Sequence, residues 1–261
     1  MPNIKIGLAL SGGGAMGAAH IGLIEELNRN NIEISYISGS SAGSIVSYVY
    51  SYSGIDGLNN FADRINSDYF TKDKKDLIKH GLSIIFVKLA EELKKVSKNK
   101  KPKITFSCIA TNIHTNQPEC FENPSVKMIM ASSSYPGIFP KQKIDKQYYI
   151  DGALTKNLPG DIVREKTDFV IGSSIYDLNT LDEKEARRIN RIGLAKRAID
   201  IMQMSLANSQ EKFCDFVFKP NVSAYRWYDF RKIIEIREAG RKKAKKDIKT
   251  ILKLIKEKND V

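Results

Sequence analysis

An α/β fold, with a mainly parallel central sheet and helices on both sides, is what this 261-residue chain predicts. Three observations lead there. Short apolar runs of strand length alternate with stretches at helical spacing, the pattern of a layered α/β protein. The first two runs each end in a small-residue loop that opens directly into a helical stretch. The length allows one sizeable core, so residues 1–261 read as a single domain.

The elements follow in order. Ile4 to Leu10 is a buried first strand, and Ser11-Gly12-Gly13-Gly14 is a loop. A helix begins at Gly17, with Ile21, Leu23, Ile24 and Leu27 at roughly helical spacing, and ends near Asn30-Asn31. Ile32 to Ile37 is the second strand, and Ile45 to Tyr50 carries the helix after it. Residues 55–101 read as helices, with an apolar stripe from Ile84 to Val96 that turns basic toward Lys100-Lys101-Pro102. It is either a surface helix or a cap over a site. Ile104 to Ala110 is a strand. Ser125 to Ser134 is a short helix broken by Tyr135-Pro136-Gly137. Tyr148-Tyr149-Ile150 is a strand ending at Asp151-Gly152, and Asp168 to Ile175 is another. Glu183 to Phe213 reads as one long helical region and Asp215 to Phe218 as a late strand. The basic tail, about 229–258, reads as a helix or helix pair with a break at Gly240.

Composition narrows the class. Hydrophobic residues make up 42% and charged ones 28%, as in ordinary globular proteins. The net charge of +12 fits either a Lys-rich compositional drift or attraction to an anionic surface. Cys108, Cys120 and Cys214 are odd in number and form no C-x-x-C pair, which predicts reduced thiols, a cytoplasmic setting and no zinc site. No secretory signal or membrane-spanning run is visible. No nucleic-acid motif accompanies the basic surface, so nucleic acid is not an expected partner.

Gly39-Ser40-Ser41-Ala42-Gly43 carries the chemistry. It fits G-x-S-x-G, in which a strand turns sharply into a helix and presents a serine at the tip. The small residues Gly39, Ala42 and Gly43 let the turn close. Gly12-Gly13-Gly14-Ala15-Met16-Gly17 matches G-x-G-x-x-G between a strand and a helix. As a dinucleotide fingerprint it needs an acid ending the second strand. Glu33 lies near that distance but stands at the start of the strand, whose other end runs into the serine elbow. Beside a nucleophilic serine, backbone N–H groups at a helix N-terminus form an oxyanion hole instead.

A serine nucleophile needs a base. Of His20, His80 and His114, none follows the acid in the order of a hydrolase triad. His20 reads as a packing or surface histidine. Asp151, at a strand end and followed by Gly152 and Ala153, is the candidate base. An ordinary carboxylate pKa near 4 makes a weak base. The site must compensate by desolvation and the oxyanion hole, and a required group titrating like histidine would count against the carboxylate.

Four segments together resemble the patatin-like phospholipase family, in its small bacterial form. They are Leu8 to Gly22, Gly39 to Gly43, Ala131-Ser132-Ser133-Ser134-Tyr135-Pro136-Gly137-Ile138-Phe139-Pro140, and Asp151-Gly152-Ala153, within residues 4 to about 175. The resemblance implies a three-layer α/β/α fold and a dyad of Ser41 as nucleophile and Asp151 as general base. It also implies an oxyanion hole from Gly12, Gly13 and Gly14, and ester hydrolysis on an acyl lipid without metal, nucleotide or other cofactor. Two residues depart from the family pattern: Met16 stands where Arg or Lys is common, and Ala153 where glycine is commoner.

Around this site, Tyr135, Ile138 and Phe139 read either as core or as the lining of an acyl channel. The basic tail and Arg226-Trp227-Tyr228 read either as solvated packing or as peripheral contact with the inner membrane face. The alternative function is a regulatory or adaptor protein on the same fold with little turnover. Oligomeric state is left open by the sequence.

Overall fold

The structure is a computed structural model, and it describes residues 4–68, 83–175 and 180–260. Eight strands form one mixed sheet. They are β1 (Ile6–Leu10), β2 (Ile34–Ser40), β3 (Thr105–Asn112), β4 (Gln117–Glu122), β5 (Gln142–Ile144), β6 (Gln147–Asp151), β7 (Phe169–Ser173) and β8 (Phe216–Phe218). Their order is β5-β6-β3-β2-β1-β7-β8, with β4 paired to β3. The central strands β3, β2, β1, β7 and β8 are parallel, and β4, β5 and β6 are antiparallel additions.

Side-chain alternation along the strands sorts the core into two layers. Leu8, Leu10, Ile37 and Ile171 point to one face, while Ala9, Tyr36 and Val170 point to the other. The first face packs against α1 (Ala18–Arg29), α2 (Ala42–Asp68) and α8 (Ile233–Asn259). The second packs against Val163 of α5 (Gly160–Arg164) and Ala207 of α7 (Arg191–Gln210). The remaining helices are α3 (Ser83–Ser97), α4 (Val126–Ser132) and α6 (Glu183–Arg188). This is the three-layer α/β/α arrangement with a mainly parallel sheet.

Several sequence expectations need correction. β2 starts later and runs to Ser40, so the strand itself delivers the chain into the serine turn. α2 extends far beyond Tyr50, although Gly54 leaves helical geometry within it. The region 183–213 is two helices, and Asn190 caps the second by accepting from the Gly193 N–H at 2.8 Å. Gly240 does not break the tail: α8 is continuous across it. A Cβ at Gly240 would stand 2.3 Å from the Ala19 carbonyl oxygen, and one at Gly22 would stand 2.3 Å from that of Arg237. The two glycines let α1 and α8 cross at backbone contact. Ile233, Ile236, Ala244 and Ile251 complete the buried stripe, and the lysines of α8 take the outer faces.

The sheet topology places the site. β2 and β4 occupy opposite edges of β3, and β2 stops at Ser40 opposite Ile109. β6 then takes over the vacated edge, beginning with Asp151 opposite Ala110. The end of a parallel strand and the end of an antiparallel one therefore meet along a single edge.

Candidate active site

Ser41 stands at the tip between β2 and α2 with φ of +52°, in the left-handed region that a non-glycine residue rarely adopts. Such strain is typical of a nucleophile elbow. The turn is tight enough to exclude side chains beside it. A Cβ at Gly39 would lie 2.2 Å from the Gly43 carbonyl carbon, and one at Gly43 2.4 Å from the Leu10 carbonyl oxygen. The Ser41 N–H donates to Ser132 Oγ at 3.0 Å, and Ser133 Oγ donates to the Ser41 carbonyl at 3.4 Å. The serine-rich C-terminal end of α4 thus holds the elbow from outside.

Ser41 Oγ donates to Asp151 Oδ2 at 2.7 Å. The other carboxylate oxygen accepts the Ala153 N–H at 2.9 Å. Asp151 is held by its main chain as well, donating to the Ser134 carbonyl at 3.0 Å and accepting from Thr111 Oγ1 at 2.8 Å. Gly152 follows because a Cβ there would stand 2.0 Å from the Ile109 carbonyl oxygen. Asp151 is buried while Ser41 is partly exposed. Burial pushes the Asp151 carboxyl up to about 7, against the opposing pull of the Ser41 hydroxyl and the Ala153 N–H. Desolvation thus moves this carboxyl from its reference value near 4 toward neutral pH, the compensation expected from sequence.

The glycine loop faces Ser41: a Cβ on Gly12 would come within 3.1 Å of the Ser41 Cβ. Its three glycines are not equivalent. The Gly12 N–H donates to the buried Asn157 Oδ1 at 2.8 Å and is not open to a ligand. Of the three glycines expected to form an oxyanion hole, Gly12 therefore has its N–H already engaged. Among the described hydrogen bonds none uses the Gly13 or Gly14 N–H. Gly14 has φ of +60°, and a Cβ on it would lie 2.4 Å from the Trp227 carbonyl oxygen, which itself accepts the Ala15 N–H at 2.7 Å. Asn157 also donates to the Gln203 carbonyl at 3.0 Å, tying the loop to α7. Sequence reasoning missed Asn157, because a lone asparagine in a Lys-Asn-Leu-Pro turn carries no signal of its own.

His20 is fully buried, with Nε2 2.9 Å from the Ser11 carbonyl and Nδ1 2.7 Å from Ser173 Oγ. A carbonyl only accepts, so Nε2 carries the proton and Nδ1 accepts from Ser173. Burial lowers its pKa to about 4, and the neutral ring is a packing strut beneath the glycine loop. His114 stacks on Tyr148 at the far end of β3. His80 lies outside the described residues.

Gly13, Gly14, Ser41 and Asp151 open into one cavity whose walls include Tyr135, Phe139, Trp227 and Phe230. Ile138 is not part of that wall. Lys196 and Asp200 of α7 form an ion pair on the same wall, and Tyr135 Oη donates to Asp200 Oδ1 at 3.4 Å. Met16 is buried, so the cation that its position often supplies is absent, and among the described lining residues Lys196 is the cation. Gly14 and Phe230 also belong to a second, apolar cleft between α1 and α2, lined by Ile21, Val46, Leu58, Phe61 and Leu89.

A family model described as patatin-like phospholipase matches residues 8–164, which contain the glycine loop, Ser41 and Asp151. The chain belongs to the patatin-like phospholipase family. Among its relatives is a patatin-like phospholipase domain-containing protein of Caenorhabditis elegans, 26% identical over 271 residues. That alignment covers 91% of this chain and 20% of the nematode protein. A lysophospholipase NTE1 of Meyerozyma guilliermondii is 26% identical over 195 residues, covering 70% of this chain and 13% of the yeast protein. The chain therefore spans a fifth or less of the length of these two relatives. Among solved structures, VipD from Legionella pneumophila has a TM-score of 0.49 at 13% identity, covering 98% of this chain and 67% of VipD.

Proposed function

We propose that this patatin-like chain is a serine-dependent lipid acyl hydrolase, with Ser41 as nucleophile and Asp151 as general base. The observation that carries the reading is the 2.7 Å hydrogen bond from Ser41 Oγ to a buried carboxylate, in a cavity that shares Gly14 and Phe230 with an apolar cleft. A nucleophile within hydrogen-bond reach of a base, with the base fixed by a third group, is what covalent acyl transfer requires. Here the third group is the Ala153 N–H.

Asp151 accepts the Ser41 hydroxyl proton as Oγ attacks the ester carbonyl carbon. The carbonyl oxygen takes the electron pair and rests on the Gly13 and Gly14 N–H groups, with Gly12 pinned by Asn157 to hold the loop in place. One such donor is worth about 2.7–4 kcal/mol in comparable sites. The tetrahedral intermediate collapses, and the leaving alcohol departs with the proton held by Asp151. Water then gives a proton to Asp151 as its oxygen attacks the acyl-enzyme. The second collapse returns that proton to Ser41 and releases the fatty acid. A base with a pKa near the working pH combines availability with driving force, and burial brings Asp151 to about 7. The cleft of Ile21, Val46, Leu58 and Phe61 suits the acyl chain, and the polar wall of Lys196 and Asp200 suits the head group.

The test is turnover of p-nitrophenyl esters and of mixed phospholipid by the wild-type protein and by Ser41→Ala. Turnover that vanishes with the substitution supports the reading. Absence of turnover in a folded wild-type protein that also resists a fluorophosphonate probe favours a regulatory or adaptor role on the same fold.

A further inference from the structure

The helix that walls the cavity also carries, among the described residues, the two most exposed large apolar side chains, Met202 and Leu194. On α7, Asp200, Gln203, Ala207 and Gln210 recur every three to four residues and face inward. Leu194, Ala198, Ile201 and Ser205 recur at the same steps on the opposite side, with Ala195 and Met202 beside them. That side faces solvent: Leu194 is 60% exposed, Ile201 47% and Met202 70%. Single exposed apolar residues are ordinary, but three large ones on one face of one helix mark a contact surface.

We propose that this outer face of α7 docks the protein on an anionic phospholipid surface and presents the Ser41 cavity to it. The proposal rests on the lipid-hydrolase reading for its purpose, though not for its geometry. Charge favours a membrane over other occupants. The helix itself carries three basic side chains (Arg191, Lys196, Arg197) and one acidic, Asp200, which turns inward and pairs with Lys196. A basic helix with a narrow apolar face is the composition that lies in a headgroup layer. Aromatic side chains stand on the inner, cavity side of the same helix. Lys196 Nζ stands 5.8 Å from the Trp227 ring centroid, and the neighbouring Tyr228 is 45% exposed. Trp and Tyr favour such interfaces. Position supplies the third argument. Lys196 and Asp200 line the cavity from the inner side of the same helix, so docking through the outer side sets the wall of the Ser41 cavity against the lipid surface. The tail helix α8, the other basic amphipathic segment, cannot serve in this way because its apolar stripe is buried on α1 and the sheet.

The experiment is co-sedimentation with phosphatidylcholine vesicles and with vesicles of equal parts phosphatidylcholine and phosphatidylserine. The full chain is compared with Leu194→Ser/Ile201→Ser/Met202→Ser, whose positions lie outside the catalytic cavity. The wild-type protein is expected to bind the mixed vesicles and to bind the neutral ones at least ~10-fold more weakly. The triple variant is expected to lose at least ~30-fold in partitioning, with turnover of a soluble p-nitrophenyl ester unchanged. Met202→Glu, a single change at the most exposed position, replaces it if the triple variant fails to fold. Vesicle binding equal in wild type and variant overturns the proposal. So does a wild-type dimer that the variant converts to monomer, since a second copy would then cover the face. Vesicle binding without ester turnover in the wild type leaves the docking face standing and removes the hydrolase reading instead.

Discussion

Asp151 stands one register step beyond Ser40 along the same edge of β3, opposite Ala110 where Ser40 is opposite Ile109. The meeting of Ser41 with Asp151 is therefore a property of strand pairing. A parallel strand stops, an antiparallel one takes over its edge, and the residues at the junction face each other. Both ends are sealed by glycines whose Cβ atoms would strike main chain, Gly39 and Gly152.

Removing either member of the dyad should abolish turnover by about 10⁴-fold or more in kcat, because residues that act as a unit are not additive. Ser41→Ala and Asp151→Asn, and the double variant, are expected to fall to similar floors in a p-nitrophenyl ester assay. A double variant far below both singles would show that they act independently.

The pH dependence follows from burial. As the proposed base, Asp151 would be competent only when ionised, and its carboxyl is raised to about 7. kcat/KM should therefore rise about tenfold per pH unit below 7 and level off above it. A plateau reached already at pH 5 would place the base elsewhere. The midpoint coincides with that of a free imidazole, so His20→Gln is the companion measurement. It should leave the midpoint in place, because His20 is already neutral down to about 4.

The same carboxyl weighs on stability with a definite sign. Its pKa is raised on folding, so the folded state holds the proton more tightly than the unfolded one. Its contribution to stability is fully present below the unfolded value of 3.8 and is lost as pH rises to about 7. The cost above that range is about 4 kcal/mol. Asp151→Asn should accordingly stabilise the protein by a few kcal/mol at pH 8.5 and by little at pH 4, read by denaturant unfolding. Equal effects at both pH values would mean that the carboxylate is not desolvated.

Gly152→Ala should cost about 1–3 kcal/mol of stability and at least ~10²-fold in activity, since its Cβ would collide with the Ile109 carbonyl next to Asp151. Gly137→Ala is the control: nothing lies within 4 Å of its Cβ, and only its φ of +78° is penalised, by about 1 kcal/mol. Thermal unfolding and ester turnover of the pair separate collision from strain.

Asn157→Leu leaves the buried Gly12 N–H without a partner, at about 1–3 kcal/mol. The loop is then free to shift, so kcat should fall by about tenfold or more with KM for a soluble ester little changed. A change in KM alone would place Asn157 in substrate binding instead.

The parts of this molecule that were legible in sequence share a physical cause. Gly12 to Gly17, Gly39 to Gly43 and Asp151-Gly152 are backbone-limited positions, where the main chain dictates the residue and leaves a readable pattern. The central strands were legible because burial on both faces makes them continuous apolar runs. β4 was missed because it is a polar strand, with Pro118, Glu119 and Glu122 along it. Gly240 misled because glycine signals a break by propensity, whereas here it serves a helix crossing. Asn157 acts through one long-range hydrogen bond, which sequence spacing does not encode. The size of the Asp151 shift was not legible for the same reason: burial is a tertiary property. The outer face of α7 was hidden because apolar residues at helical spacing look alike whether they meet a core or a solvent boundary.

The most direct measurement is the mass of the intact protein after reaction with a fluorophosphonate probe, followed by peptide mapping. The account predicts a single adduct on Ser41, abolished in Ser41→Ala and formed far more slowly in Asp151→Asn. A folded wild-type protein that takes no adduct, or takes it on another residue, would contradict the assignment of Ser41 as the nucleophile.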